Sequence, residues 1–277
     1  MRRTLFAPLL ALGLLAAAIA PAAAITGGQP DGDGHPYSAL LLIPEAGFCS
    51  GTLIDEDVIL TAGHCTYAFE EIGETVYVSF DSQAEVDADW APVNPDDWYT
   101  ASTWVTHPDY VHEDWPFTSD YGLLFLDEPV TDITPAELPE AGLLEELVGE
   151  NGQTAALFED VGYGQNGNVL GGGPPIGQFT WERKVAVQQW APGKGGPSAV
   201  LDAEWFILRN VPSSQHGSAC GGDSGSGVFP YGTDTVIAVH TGGYNLGWEG
   251  QICGRITSLN HRVDLPEILD WISGYLD

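Results

Sequence analysis

The feature that most constrains the fold of this sequence is its division into many short β-rich segments separated by turn-forming clusters. Residues 39–43, 75–80 and 178–187 are examples of such segments, whereas residues 30–34 and 171–175 are rich in glycine and proline. Apolar and β-branched runs of this length, bounded by turn residues, are typical of strands rather than of the helices of a bundle. The sequence therefore predicts an all-β protein.

The length of the chain and one polar segment indicate how the strands are divided. A chain of 277 residues fits one large or two modest domains. Residues 128–152 are rich in proline and acidic side chains and lack a strand pattern, so they are the best candidate for an interdomain connection. Apolar side chains at helical spacing in residues 265–276 predict a terminal amphipathic helix. We expect one domain at residues 25–142 and a second at residues 143–277.

The N-terminal segment has the order of an export signal. Arg2 and Arg3 precede an apolar run at residues 5–20 and small alanines at residues 22–24, which is the pattern of a cleavable signal peptide. A membrane anchor is the alternative, because the apolar run nearly reaches spanning length. We favour a signal peptide, because the small-residue cleavage site is well placed. We expect a secreted protein that begins at Ile25, with no propeptide and no membrane partner.

The charge of the chain is strongly negative, with 39 acidic residues against 8 basic residues. Loss of the signal peptide leaves six basic residues and a net charge of −33. Such a surface repels phosphates, so we exclude nucleic acid as a partner, and we expect a soluble monomer. Preference for cationic substrates and adaptation to salty surroundings are two functional interpretations. A solvated acidic surface is the interpretation that we favour.

Four cysteines, at positions 49, 65, 220 and 253, follow the signal peptide. An even number in an exported protein permits disulfides, and four cysteines allow three pairings. Their spacing lacks the C-x-x-C pairs that are usual in a zinc site.

One acidic stretch offers the oxygen ligands that calcium prefers, and it contains Asp81, Glu85, Asp87 and Asp89. Acidic surface loops are common in so acidic a chain, and we favour a solvated loop here. We therefore predict no metal site and no cofactor.

Three separated motifs carry the candidate chemistry. The motifs are LTAGHC, which contains His64; SDYGLLFL, which contains Asp120; and CGGDSGSG, which contains Ser224. Asp120 stands at the head of an apolar strand, where its carboxylate would be partly buried. Ser224 stands in a glycine-rich turn, where backbone N–H groups can converge on one point. A lone histidine is usually an ordinary core residue, so only the three motifs together indicate a site.

These three side chains are what acyl transfer needs. A serine hydroxyl is a weak nucleophile unless a neighbouring base accepts its proton, and His64 is the candidate base. Asp120 would fix the imidazole tautomer and stabilise the imidazolium. The backbone N–H groups of Gly222 and Ser224 are the candidate oxyanion donors, since glycine permits the tight approach.

The order histidine, aspartate, serine differs from the orders of subtilisin-like enzymes and α/β-hydrolases, and Ser226 breaks the G-x-S-x-G elbow of a lipase or esterase. The motifs resemble those of the chymotrypsin/trypsin family. TAGHC matches the histidine motif of that family, SDYGLLFL resembles its aspartate strand, and GGDSGSG resembles GDSGGP. Ser226 departs from the glycine that is usual there, but this position supplies no catalytic group.

Further segments extend the resemblance over nearly the whole mature chain. They are ITGG at 25–28, HPDY at 107–110, VGYG at 161–164 and the terminal segment 264–276. The resemblance implies two six-stranded antiparallel β-barrels and a C-terminal helix, with the active site in the cleft between the barrels. It also implies the disulfides Cys49–Cys65 and Cys220–Cys253. In this family the new N-terminal amine pairs with the aspartate before the serine, which implies the pair Ile25 and Asp223.

The primary specificity pocket is implied to contain Ser218, His240, Thr241 and Gly243. Ser218 is neutral where a trypsin-like pocket carries aspartate, so a preference for Arg or Lys is not expected. Gly242 and Gly243 would leave the wall open, and the Thr241 hydroxyl would support the catalytic aspartate. The segment VHTGG resembles the G-I-H-x-G-G segment of glutamyl endopeptidases, where the histidine binds an acidic side chain. The alternative is that His240 packs beneath a pocket for apolar or small residues, which we favour.

The sequence thus predicts a secreted serine endopeptidase that acts on peptides or proteins. The alternative is a protease-like binding protein without catalysis, but such proteins usually lack a triad residue and this chain keeps all three.

Overall fold

The computed structural model of the chain describes residues 25, 28–149, 156–165, 179–190, 204–210, 217, 219–244 and 257–276. No helix in these ranges is long and apolar enough to cross a membrane. The signal-peptide prediction for residues 1–24 lies outside the described residues.

The first half of the chain forms a closed barrel of six antiparallel strands, in the order β2-β3-β4-β7-β6-β5. The short strand β1 (Gln29–Pro30) precedes it, and the helix α1 (Gly63–Ile72) follows β4. The barrel strands are β2 (Ser38–Ile43), β3 (Gly47–Leu53), β4 (Val58–Thr61), β5 (Val76–Ser79), β6 (Tyr99–Thr106) and β7 (Gly122–Leu126).

Strand β2 shows why this half folds as a barrel. All six of its residues are buried, because one face points into the barrel core and the other packs against neighbouring segments. A strand that is buried on both faces reads as a continuous apolar run rather than as an alternating one. Its inward-facing residues Leu41 and Ile43 join a core with Leu60 and Leu124 from the opposite strands.

The second half forms another ring of six antiparallel strands. Strand β8 pairs with both β9 and β11, and the chain of pairings β9-β10-β13-β12-β11 closes the ring. The strands are β8 (Leu157–Gly162), β9 (Lys184–Gln189), β10 (Trp205–Asn210), β11 (Gly227–Pro230), β12 (Ala238–Tyr244) and β13 (Thr257–Arg262). The predicted two-barrel fold is therefore confirmed, although β9 begins later than the segment 178–187 predicted.

The segment between the barrels contains a short helix that the sequence analysis did not predict. This helix, α2 (Leu143–Val148), buries Leu144 and Val148 against the core of the second barrel. The predicted terminal helix is present as α3 (Pro266–Ser273), and it begins with a proline at its first position, where no backbone donor is needed.

The terminal segments of the two halves each pack against the barrel of the other half. Strand β1 pairs with β9 of the second barrel, whereas Ile268 and Ile272 of α3 are buried in the core cluster of the first barrel. The strands of the first ring end at Leu126 and those of the second begin at Leu157, and each ring also contacts the terminal segment of the other half.

Arg183 joins the barrels from inside the molecule. Its guanidinium forms an ion pair with Asp31 at 2.9 Å and donates hydrogen bonds to the carbonyl oxygens of Gly32, Ser38 and Phe80. Both charged side chains are 2% exposed. A buried guanidinium is stable only when its donors are satisfied, and here the acceptors come from the N-terminal segment and the first barrel.

We expect Arg183→Gln to lower the free energy of unfolding by about 3–5 kcal/mol, because it removes the buried guanidinium and leaves the Asp31 carboxylate with only His35 as a partner. Urea denaturation of the variant measures the loss. In a double-mutant cycle with Asp31→Asn, the second substitution should cost much less in the Arg183→Gln background than in the wild type. A loss below about 1 kcal/mol for Arg183→Gln contradicts this role, since exposed ion pairs contribute that little.

Candidate active site

His64 and Asp120 form a hydrogen-bonded pair in the first half of the chain. His64 is the second residue of α1, and Asp120 lies two residues before β7. The His64 ring Nδ1 lies 2.9 Å from Asp120 Oδ2, and the backbone N–H of His64 donates to Asp120 Oδ1 at 2.7 Å. A carboxylate only accepts hydrogen bonds, so Nδ1 is assigned the ring proton and Nε2 is left as an acceptor.

The environment of Asp120 keeps its carboxyl ionised. Its side chain is fully buried, and burial by itself raises the pKa of a carboxyl. The charge and the hydrogen bonds of His64 outweigh that effect, so the pKa of Asp120 lies below its usual value. The His64 side chain remains 20% exposed, so solvent or a ligand can reach the histidine but not the aspartate.

The turn that contains Ser224 rests on strand β3 of the first barrel. The N–H of Ser50 donates to the Ser224 carbonyl at 2.8 Å, and the Ser50 hydroxyl donates to the Gly222 carbonyl at 3.1 Å. Cys49, next to Ser50, forms the predicted disulfide with Cys65, the residue after His64. The serine turn and the histidine loop are thus held against the same two-residue segment of β3.

The Ser224 hydroxyl makes no hydrogen bond to His64 among the described contacts. A contact does join the neighbouring segments, because the sulfur of Cys65, the residue after His64, lies 3.8 Å from the Ser224 carbonyl oxygen. Nucleophile–base hydrogen bonds are often longer in unliganded sites than in complexes. The backbone therefore brings the three predicted residues to one region, and the proton-transfer contact itself is a proposal.

Two glycines give the serine turn its shape. Gly222 has φ +96° and Gly225 has φ +84°, which is the left-handed region that favours glycine. A Cβ on Gly222 would overlap the ring of Phe48, and one on Gly225 would overlap the Thr61 hydroxyl and the Ser50 carbonyl. Both positions therefore require glycine for close approach as well as for backbone conformation.

We expect Gly225→Ala to lower the free energy of unfolding by more than about 3 kcal/mol, since the serine turn would have to move away from β3. Gly232→Ala is the matched control, because Gly232 has φ +75° but nothing lies within 4 Å of its Cβ position. The control should lose only about 1–2 kcal/mol from backbone strain. Equal losses in thermal or urea denaturation would show that contact with the first barrel is unimportant.

A buried carboxyl lies directly beneath the serine turn. Asp223 accepts hydrogen bonds from the N–H groups of Gly164 and Cys220, at 2.7 and 2.8 Å. Burial raises the pKa of Asp223 well above its usual value, and the nearby Asp160 carboxyl raises it further. Within the described part of the chain Asp223 has no ion-pair partner. Ile25 is fully buried, but no described contact joins it to Asp223.

The expected specificity-pocket residues are described only in part. His240, Thr241 and Gly243 lie on β12, which follows the serine turn in the ring. Ser218 lies outside the described residues. Cys253, the expected partner of Cys220, also lies outside them, although Cys220 is itself disulfide-bonded.

The Thr241 hydroxyl has a different partner from the expected one. Its Oγ1 lies 2.6 Å from Nδ1 of His261, and no described hydrogen bond joins it to Asp120. Burial lowers the pKa of His261 to about 4, so this histidine is neutral over the ordinary pH range. Sequence reasoning missed His261, because nothing along the chain marks a residue on β13 as a neighbour of Asp120.

The wall of the expected specificity pocket is less open at Gly242 than the sequence predicted. The indole of Trp115 approaches the Cβ position of Gly242 to 3.3 Å, and its ring lies 5.8 Å from the His64 ring in an edge contact. Trp115 is 44% exposed. It therefore covers the space between the histidine and β12 while remaining accessible, and no motif in the sequence identifies it.

The carboxylates of the acidic stretch 81–89 are not among the described side chains that come together as a group of three ligand-type residues. The only such group in the described ranges is Cys49, His64 and Cys65. Both sulfurs of that group are joined in the disulfide, so it has no thiolate to offer a metal.

Comparison with known proteins finds one similar protein family and two similar solved structures. A family model described as Trypsin matches residues 25–157, which contain the first barrel and the beginning of β8. A solved structure of HL collagenase aligns with a TM-score of 0.61 at 19% identity, covering 91% of this chain and 98% of that one. A structure of HBP aligns with a TM-score of 0.61 at 20% identity, covering 91% and 96%. At these identities the two structures show that this chain has the chymotrypsin-like fold, and the family model adds a similarity to the Trypsin family over residues 25–157.

Proposed function

We propose that this protein is a secreted serine endopeptidase that uses Ser224, His64 and Asp120. The observation that carries the proposal is the His64–Asp120 pair, with its Nδ1–Oδ2 distance of 2.9 Å. The Cys49–Cys65 disulfide ties the residue after His64 to the segment of β3 against which the serine turn is held. The Cys49–Cys65 disulfide and the match of residues 25–157 to the Trypsin family model support this function. The substrates are peptides or proteins, and the acidic surface favours a monomer that does not bind nucleic acid.

The proposed reaction begins with proton transfer from the Ser224 hydroxyl to Nε2 of His64 as the oxygen attacks the substrate carbonyl. The Asp120 carboxylate, ionised and buried, stabilises the imidazolium that forms. The N–H groups of Gly222 and Ser224 donate hydrogen bonds to the oxyanion of the tetrahedral intermediate. His64 then protonates the departing amine, which leaves an acyl-enzyme at Ser224. Water attacks this ester in the same way, and the serine is regenerated.

We expect Ser224→Ala to lower kcat for a peptide substrate about a million-fold, because the nucleophile is removed. His64→Ala should cause a similar loss, and the double variant should lose little more than either single variant, since the residues act as a unit. Circular dichroism checks that the variants are folded. A Ser224→Ala variant that keeps a tenth of wild-type turnover contradicts the assignment.

A serine-directed phosphonate distinguishes the proposed enzyme from a protease-like binding protein. Only an activated serine is labelled, so the wild type should gain one phosphonyl group on Ser224 by mass spectrometry. Ser224→Ala is the control. An unlabelled wild type with a correct N-terminus and an intact fold supports the binding-protein alternative.

The second proposed element is activation by the N-terminal amine of Ile25. Asp223 is a buried acid without a described cationic partner, and an ammonium group that reached it would favour its ionised form. Release of the signal peptide before Ile25 would supply that amine directly. The Cys220–Cys253 disulfide is proposed to brace the same region.

The pH dependence of this pair has a definite sign. A free α-amine has a pKa of about 8, and pairing with a carboxylate raises it. The contribution of the ion pair is therefore full below the free value and is lost as pH rises through the raised value. We expect kcat/KM of the mature enzyme to fall reversibly in that alkaline range, with a parallel fall in titratable active sites.

N-terminal variants test the activation proposal. A chain that starts at Ile25 should be active, whereas the same chain preceded by one uncleaved residue, or carrying Asp223→Asn, should lose at least about a hundredfold in kcat/KM. Edman sequencing confirms each N-terminus. Full activity in the extended chain contradicts the proposal.

A further inference from the structure

The peptide between Gly221 and Gly222 is held in one orientation. The backbone N–H of Gln165 donates to the Gly221 carbonyl oxygen at 2.7 Å. This peptide is trans, and in a trans peptide the N–H points opposite to the carbonyl, so the N–H of Gly222 is directed away from Gln165. None of the hydrogen bonds in the described part of the chain uses that N–H. It is therefore available as the oxyanion donor that the proposed reaction needs.

Two residues of β3 hold the other side of Gly222. Phe48 and Ser50 are two positions apart on this strand, so their side chains lie on the same face. The Ser50 hydroxyl donates to the Gly222 carbonyl at 3.1 Å. A Cβ on Gly222 would stand 2.2 Å from the Cε2 and Cζ atoms of Phe48, so the ring lies directly against the glycine backbone. The ring blocks movement of this backbone toward β3, while the hydroxyl holds its carbonyl.

Phe48 is itself held by three other rings. Its ring centre lies 4.9 Å from that of Phe179, 5.1 Å from that of Trp181 and 5.9 Å from that of Trp90, each in an edge contact. The three rings also contact one another, at 5.0, 5.2 and 5.9 Å. Such contacts stabilise a packing arrangement beyond the burial of apolar area. We call these four residues the aromatic cluster, and it joins β3 to residue 90 and to residues 179–181.

Two members of the aromatic cluster have strained backbones. Trp90 has φ +57° and Trp181 has φ +55°, in the left-handed region that is uncommon for bulky residues. Such strain persists only where the surrounding structure imposes it, and it concentrates at functional sites. Packing of the two indoles against Phe48 thus offsets an unfavourable backbone conformation at both positions. All four rings are nevertheless partly exposed, so the cluster lies at the surface beside the serine turn and not in a barrel core.

From this arrangement we propose that Phe48 is a positioning residue for the oxyanion donor of Gly222, and that the aromatic cluster holds Phe48 in place. The ring acts through the backbone of Gly222. An oxyanion donor stabilises the transition state only if it is already aimed at the position where the charge develops. A loosened Gly222 therefore weakens transition-state stabilisation more than substrate binding. The inference rests on the proposed endopeptidase function and adds to it the residues that fix the donor.

The test compares a peptidyl aldehyde with the matching peptidyl alcohol, both ending in the residue after which the wild type cleaves best. The Ser224 oxygen adds to the aldehyde carbon, and the serine proton passes through His64 to the carbonyl oxygen, which gives a hemiacetal at the oxyanion site. The alcohol has no electrophilic carbon and binds without this bond. Neither compound extends beyond the reacting carbon, so contacts with the departing segment of a substrate do not enter the comparison.

We expect Phe48→Leu to lower kcat for a peptide substrate at least about tenfold and to leave KM within about threefold. The Ki of the aldehyde should rise at least about tenfold, whereas the Ki of the alcohol should stay within about threefold. Phe80→Leu is the matched control, because Phe80 is another partly buried phenylalanine of the first half and its ring packs against Tyr99. It should leave all four constants within about twofold.

Trp181→Gly tests the aromatic cluster without adding strain, because it removes a ring that supports Phe48 and places glycine at a left-handed position. It should lower kcat about three- to tenfold with KM retained. The double variant with Phe48→Leu should lose little more than Phe48→Leu alone, since both changes act on the same contact.

The outcomes separate the inference from the function on which it rests. Wild-type kcat in Phe48→Leu, a raised KM with unchanged kcat, or equal weakening of the aldehyde and the alcohol overturns the role of Phe48 while leaving an active endopeptidase. Absence of cleavage and of phosphonate labelling in the wild type rejects the proposed function itself. The final stoichiometry of phosphonate labelling corrects the rates of each variant for its folded fraction. If Phe48→Leu does not fold, Trp181→Gly decides the question by the same criteria.

Discussion

The contact of the serine turn with strand β3 is the constraint on which the rest of the site depends. Two hydrogen bonds from Ser50 hold the carbonyl oxygens of Gly222 and Ser224, and Gly225 leaves no room for a side chain between the turn and Thr61. The turn belongs to the second barrel and β3 to the first, so the position of the serine relative to His64 is set by how the barrels pack. Arg183 and the two terminal segments, each of which packs against the barrel of the other half, also hold the barrels together.

The pKa values of the buried carboxyl groups depend on the partners that this packing gives them. Asp120 is buried but paired with His64, and its carboxyl stays ionised, whereas Asp223 is buried without a described cation and its pKa is raised. Asp160 lies between these cases, because burial raises its pKa and His240 opposes the rise. The partners of these three carboxyl groups thus shift their pKa values differently within one interior, which is how a single fold can assign them different roles.

The local sequence predicted the parts of the fold that depend on local chemistry. The glycine and proline clusters and the short apolar runs identified β-rich segments, and the apolar period of the C-terminal segment identified α3. Strands such as β3 and β8 were not identified, because glycine, cysteine and acidic residues interrupt their apolar pattern and only tertiary burial makes them strands. The helix α2 was missed for a related reason, since its stability comes from Leu144 and Val148 in the second core.

The sequence by itself determined the residue types of the candidate site. His64, Asp120 and Ser224 each stand in a short motif, and the residues next to them in the chain shape the backbone around the side chain. It did not determine the partners of Thr241, the place of Trp115 beside Gly242, or the meeting of Ser226 and His240 at Asp160. Those contacts join residues that are tens of positions apart on different strands or loops. Their physical basis is the register of the second barrel and its packing against the first, which only the tertiary structure decides.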